Sequence, residues 1–313
     1  MKLSYYGYAF NEVKTGNKKR MSVKSFIKAF CQYSNPGYKN QFTHNGENVF
    51  LLPVIGDLYL FIQTRSNEII KKVNSKDTSV SEIYDLLERG EMIGFASYVY
   101  LMDSYLGFAS TIMAPRLPSF GVFINDILRS IGIDTYQFTL LPFLSQATKA
   151  EAMSMPFLGK STVQINNQNG IFDHVMNMLG GDATEFDDVD SFEIIIKPKP
   201  RKNIEKAVKK LISAVPDDGI DKMIIKAKDD QHSALIDLYL MGNGLLSDNI
   251  VTKNENEIAQ KIKGKVNDNE ALKKKVNDHE QDEAIPHVSI EAISKYADVG
   301  AWPFAISDLQ DAD

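Results

Sequence analysis

Apolar positions recur along the chain with two periods, and the alternation between them predicts the elements. The opening run LSYYGYAF is aromatic and alternating, as in a strand. Val23, Phe26, Ile27, Phe30 and Cys31 then follow the i, i+3, i+4, i+7, i+8 stripe of an amphipathic helix that Ser22 can cap. Asn48 to Ile55 and Leu58 to Thr64 are apolar strands joined by Gly56-Asp57, a tight hairpin turn, with Pro53 marking a sheet edge. Residues 80 to 88 read as a short helix. Phe95 to Leu101 and Leu106 to Met113 read as a second hairpin, and Val122 to Ile131 as a helix. Tyr136 to Leu144 follows as a strand, Thr148 to Met155 as a short helical or loop segment, and Ser161 to Ile165 as a strand.

Further on, Phe172, Val175, Met176 and Leu179 stand at helical spacing before Gly180-Gly181. Phe192 to Ile196 is strand-like, and Ile204, Ala207, Val208, Leu211, Ile212 and Val215 form a helical stripe. Met223 to Lys228 alternates, which places Lys226 and Lys228 on one strand face. Residues 233 to 242 and 256 to 266 read as helices, 268 to 286 as a linker or exposed helix, and Val288 to Tyr296 as a last short helix. Hairpins mixed with segregated helices predict an α+β fold.

Charge changes this picture. Residues 192 to 210, FEIIIKPKPRKNIEKAVKK, run from a strand into a basic block. Between 197 and 228 there are ten Lys/Arg against four Asp/Glu, whereas 171 to 193 hold seven acids and no base. Residues 13 to 46 form a second basic segment, with seven Lys/Arg and no acid. The net charge of −6 hides this: residues 276 to 313 carry −8, which leaves 1 to 275 near +2. Such polarisation fits one surface for a polyanion and another that stays off it, although the plainer reading of any single run is a solvated face. The candidate phosphate contacts are Lys197, Lys199, Arg201, Lys202, Lys206, Lys209, Lys226, Lys228 and Lys160, with Lys18, Lys19 and Arg20 added from charge alone. Tyr5, Tyr6 and Tyr8 could stack on bases, but fit core positions of a strand better.

Composition excludes several classes. No apolar run reaches the roughly 18 residues of a membrane span, and the start lacks the pattern of a signal peptide, so a cytoplasmic protein is expected. Cys31 is the only cysteine, so no intramolecular disulfide can form. Gly159-Lys160-Ser161 ends like a phosphate loop, but Ser154 stands where that motif needs glycine and a strand follows in place of a helix. His44, His174, His232, His279 and His287 lack metal-ligand spacing, so neither metal nor cofactor is expected. The enzyme reading is a metal-dependent nuclease built on Asp182, Glu185, Asp187, Asp188, Asp190 and Glu193 with Lys197 nearby; a solvated acidic loop explains the same run.

Seven segments in order resemble the RexA family of phage exclusion proteins. They are VNSKDTSVSEI at 73–83, GFASYVYL at 94–101, GFAST at 107–111, FLGKSTVQI at 157–165, DSFEIIIKPKPRKNIEKAVKK at 190–210, IIKAKDD at 224–230 and VTKNENEIAQ at 251–260. The resemblance implies a non-catalytic cytoplasmic homodimer that binds double-stranded DNA without sequence preference, beside a small RexB-like membrane protein. It implies a two-domain architecture like that of the recombination-associated protein RdgC. On that basis 1–275 form the RexA-like body, with an internal boundary that composition does not place. Residues 276–313 form an acidic extension that does not match the family pattern; Trp302 and Phe304 could dock it on the body.

Overall fold

The computed structural model describes residues 1–65, 71–73, 80–82, 87, 92–111, 113–180, 188–200, 202–214, 220–228, 236–242, 244–252 and 255–302. Arg201, Asp182, Glu185, Asp187 and Phe304 lie outside them.

The chain begins with β1 (Lys2–Glu12), β2 (Lys18–Lys19), α1 (Lys24–Gln32), α2 (Pro36–Lys39), β3 (Thr43–His44), β4 (Glu47–Ile55) and β5 (Leu58–Thr64). Then come β6 (Lys71–Val73), β7 (Val80–Glu82), β8 (Gly94–Leu101), β9 (Tyr105–Ser110), α3 (Leu117–Ser130) and β10 (Tyr136–Pro142). The middle holds β11 (Leu144–Ser145), α4 (Lys149–Ser154), β12 (Phe157–Asn166), α5 (Gly170–Met178), β13 (Ser191–Ile196) and α6 (Glu205–Ala214). It continues with β14 (Ile220–Lys228), β15 (Ile236–Met241), β16 (Gly244–Leu245) and β17 (Ser247–Asn249). Helices α7 (Glu255–Asp268), α8 (Glu270–Glu280) and α9 (Glu291–Ser294) follow, and two short 3-10 helices, Lys295–Ala297 and Val299–Ala301, end the order. The fold is α+β with antiparallel sheets, and the chain divides into two compact units, 1–143 with 250–313, and 144–249.

In unit 1 the strands run in the order β10-β1-β9-β8-β5-β4-β3, with β2 beside β1. Gly56, at φ +57°, makes the β4–β5 turn that the sequence predicts. Strand β3 reaches only Asn48 of β4, so Pro53 lies on a stretch of β4 paired on one side, where its missing N–H costs nothing. Tyr5 and Tyr8 are wholly buried, which excludes base stacking. Helices α1 and α3 supply Phe26, Phe30, Phe120, Phe123 and Ile127 to a core that also holds Phe10, Phe61 and Phe138.

Ile290, Ile293, Tyr296 and Trp302 of the 276–302 segment belong to that core. Trp302 is 2% exposed and packs against Phe26, Phe30, Tyr33, Tyr38 and Tyr296, with ring centroids 5.2 to 6.2 Å away. Its Nε1 donates to the Tyr296 carbonyl at 3.1 Å. The stretch 268–286 contains helix α8, started by Asn269 accepting from the Leu272 N–H, with Leu272 and His279 buried.

In unit 2 four antiparallel strands run β13-β12-β14-β15. Ala152 of α4, Phe172 and Met176 of α5, and Val208 and Ile212 of α6 form one cluster with Leu158, Val163, Ile165, Met223, Ile225 and Leu240. All three helices therefore cover one face of the sheet. Thr148 and Glu151 form a reciprocal capping box that starts α4, and Gly180, at φ +82°, ends α5.

Where the structure describes them, two predicted helices are strands. Val80–Glu82 pairs with Lys71–Val73, and Ile236–Met241 pairs with β14. In the second case Leu238 and Leu240 do alternate towards the core, and the partner strand outweighs the helical spacing of the neighbouring apolar residues.

Candidate nucleic-acid interface

Residues opposed across an antiparallel ladder share a face. The face of the unit 2 sheet away from the helices can therefore be read row by row. Ile195, Thr162, Ile224 and Tyr239 form one row across β13, β12, β14 and β15. Glu193, Gln164 and Lys222 form the next. In the other direction Lys226 stands opposite Asp237, with the ammonium 2.9 Å from the carboxylate.

A bulge then concentrates charge. The β12–β14 register breaks between Leu158 and Ser161, so Gly159 and Lys160 together oppose Lys226. The β12–β13 ladder ends at Ser161 and Ile196, which leaves Lys197 beside Lys160. With strands about 4.8 Å apart, Lys197, Lys160 and Lys226 form one short basic row. Lys228 follows on the same face opposite Phe157, its ammonium 5.5 Å from the ring centroid. The phosphate-loop resemblance at Gly159-Lys160-Ser161 has a structural origin: Ser161 is wholly buried in β12, and Lys160 is part-exposed at the bulge.

The segment after β13 is pinned by one side chain. Asn203 accepts from the Leu158 and Glu205 N–H groups and donates to the Pro156 carbonyl. The Ile204 N–H also bonds the Leu158 carbonyl at 3.0 Å. The exposed Lys199 and Lys202 are thus held next to the start of β12, within a turn closed by the Lys202 N–H on the Lys199 carbonyl.

The other predicted contacts separate. Lys206 and Lys209 sit on α6, whose Val208 and Ile212 face the core, so they belong to the helical layer and not to the face that carries Lys226. Lys209 is also paired with Glu205 at 2.7 Å. Lys18, Lys19 and Arg20 belong to unit 1. Lys19 bonds Tyr136 and lies 3.5 Å from Glu12; the Tyr136 hydroxyl first, and then Glu12, raise its pKa. Arg20 is a correction: it is 7% exposed and its Nε donates to the Ile285 carbonyl, so it holds the C-terminal segment and cannot reach a phosphate. The backbone does the same, through Arg20 N–H to the Pro286 carbonyl and Val288 N–H to the Arg20 carbonyl, both at 2.9 Å.

Lys222 is a residue the sequence reading missed. Its signal is the period-two run Lys222, Ile224, Lys226, Lys228 on β14. The face carries Lys160, Lys197, Lys222, Lys226 and Lys228 against Glu193 and Asp237. The acids Asp188 and Asp190 are exposed just before β13, at the opposite end of the strand from Lys197. Among the described residues no three His, Cys, Asp or Glu side chains cluster as metal ligands, and no helix is long and apolar enough to cross a membrane.

A family model described as "RexA: Intracellular sensor of Lambda phage, Abi component" matches residues 1–235. The chain is 26% identical over 266 residues to Protein rexA of Escherichia phage lambda, which covers 84% of this chain and 91% of that protein. Protein rexA of Enterobacteria phage 434 matches with the same identity and coverage.

Proposed function

The chain belongs to the RexA family, and from that premise we propose that it is a non-catalytic, double-stranded-DNA-binding homodimer that acts in phage exclusion. The observation that carries the proposal is the basic row Lys197–Lys160–Lys226 with Lys228 on the antiparallel sheet face of unit 2 opposite its helices. Each lysine that neutralises a phosphate releases condensed counterions, and that gain does not depend on base sequence. Among the described residues the face holds no helix that could enter a groove and read bases, so phosphate contact is the chemistry it offers. The acids at the far end of β13 repel the backbone and orient it towards the basic end. The family likeness extends the proposal to a cytoplasmic setting, an RdgC-like two-domain architecture and a small RexB-like membrane partner.

The test is fluorescence anisotropy on two unrelated duplexes and one single strand, across a salt series and with and without Mg²⁺. Both duplexes are expected to bind equally and to lose affinity steeply with salt. Replacing Lys160, Lys197, Lys226 and Lys228 together by Ala should weaken both alike and reduce the log–log salt slope by about 3 to 4. Unchanged affinity in that variant rejects the face. Shortened DNA in the Mg²⁺ arm, prevented by EDTA, rejects the non-catalytic reading in favour of a nuclease.

A further inference from the structure

Strand β13 ends its sheet, and among the described residues nothing pairs with its outer edge. The edge is rich in exposed β-branched residues: Ile194 is 37% and Ile195 44% exposed. An edge of this kind is a template for another strand. Its charges are arranged in an uncommon way. Glu193 lies two residues before Ile195 and Lys197 two residues after it.

We propose that this edge is the dimer seam, with β13 pairing antiparallel to β13 of a second copy in a register centred on Ile195. The proposal rests on the homodimer reading above and adds the surface and the register. In that register Ile195 meets its own counterpart, Ile194 meets Ile196 of the second copy, and Glu193 meets Lys197 at both ends. Opposite charges directly across a ladder stabilise the pairing. A slip of one residue either way opposes Lys197 to Phe192 or Ile194, and Glu193 to Ile196 or Pro198, so both charges lose their partners. Pro198 and Pro200 lack N–H groups and stop the ladder just past Lys197, which confines pairing to the self-complementary stretch. The joined sheets place the Lys160, Lys226 and Lys228 rows of both copies on either side of the two-fold axis, the arrangement a duplex needs to be gripped by a dimer.

Analytical ultracentrifugation without DNA tests the seam, because Lys197 also belongs to the phosphate-binding face. Glu193→Lys and Lys197→Glu should each weaken dimerisation roughly tenfold, since each places like charges across both ends of the ladder. The double charge swap should restore it. In a Cys31→Ser background, Ile195→Cys should cross-link the dimer under mild oxidation, because the two side chains face each other across the axis. A dimer indifferent to all the charge variants and without the cross-link rejects this seam and leaves the homodimer reading standing. A monomer at every concentration rejects both.

Discussion

The two units use similar residues for opposite purposes. Unit 1 uses its aromatic side chains to build its core and ties down Lys19, Arg20 and Lys24 within itself. Its core is a lattice of Phe, Tyr and Trp rings, many in edge-on pairs. Lys19 and Lys24 are engaged with Glu12 and Asp57, and Arg20 is buried. Unit 2 has an aliphatic core with Phe172 as its one buried aromatic ring among the described residues. One face of its sheet carries the helices; the other carries the lysines among Thr162, Gln164, Ile195, Ile224 and Tyr239, with Glu193 and Asp237. The lesson is that a basic run acquires meaning from the layer beneath it. Arg20 is held under the C-terminal segment and is consumed as structure, whereas Lys160, Lys222, Lys226 and Lys228 stand on the sheet face opposite the helices and stay part-exposed.

The strongest way to break the contrast is through Trp302. Trp302→Ala removes the ring shared by Phe26, Phe30, Tyr33, Tyr38 and Tyr296 and should cost unit 1 about 3–5 kcal/mol. Urea unfolding followed by near-ultraviolet circular dichroism would show it as a large fall in midpoint. A change under 1 kcal/mol would mean that the C-terminal segment is an appendage and not part of the core. The corresponding break in unit 2 is smaller. A Cβ on Gly244 would come within 2.0–2.6 Å of the Tyr239 ring, so Gly244→Ala must push Tyr239 out of place. About 1–3 kcal/mol of destabilisation is expected, read by the same unfolding series. DNA affinity should fall with it, since Tyr239 shares a row with Ile224 on the basic face.

The legibility of the chain divides along the same line. Strand β1, the β4–β5 and β8–β9 hairpins, α3 and β12 to β14 follow from periodicity and turn residues, because each is a local pattern. Strand β15 is not local: its apolar residues suit a helix until β14 supplies a ladder. The lysines show the same limit. Lys226 and Lys228 are readable as one strand face, but nothing in the sequence reveals the bulge that adds Lys160, or that Lys206 and Lys209 point into another layer. Arg20 looked like a surface base because its partners, the carbonyls of Ile285 and Pro286, lie some 265 residues along the chain.

A subtler probe of unit 1 is pH. His279 is buried against β1, where its ring lies beside Phe143, and among the described residues its Nε2 has no hydrogen-bond partner. Burial, and then the Arg20 charge, hold its pKa below the ordinary imidazole value. The backbone at Tyr8 and Ser104 and the Asp282 carboxylate pull the other way, less strongly. The folded chain therefore refuses a proton that the unfolded chain accepts. Stability from this site is complete above about pH 6.5 and is lost as pH falls towards the depressed folded value. Thermal melts of His279→Leu should lack the acid-side decline of the parent. A decline of equal size in both would assign it to other groups.

The smallest stability effect sharpens the contrast most. The Lys226–Asp237 pair is 2.9 Å long, but its side chains are 40% and 33% exposed, so its net contribution is expected to be about 0–1 kcal/mol. Asp237→Asn should therefore leave the unfolding midpoint of unit 2 almost unchanged. Its effect on binding has the opposite sign to that of the four-lysine and Gly244 changes. It removes a negative charge from the basic face and frees the Lys226 ammonium, so duplex affinity should rise several-fold, with a steeper salt dependence. A gain in affinity without a change in stability would show that the charges of this face are tuned for a polyanion. A loss of stability with no gain in affinity would place Lys226 among the lysines that, like Lys19 and Lys24 in unit 1, serve the fold alone.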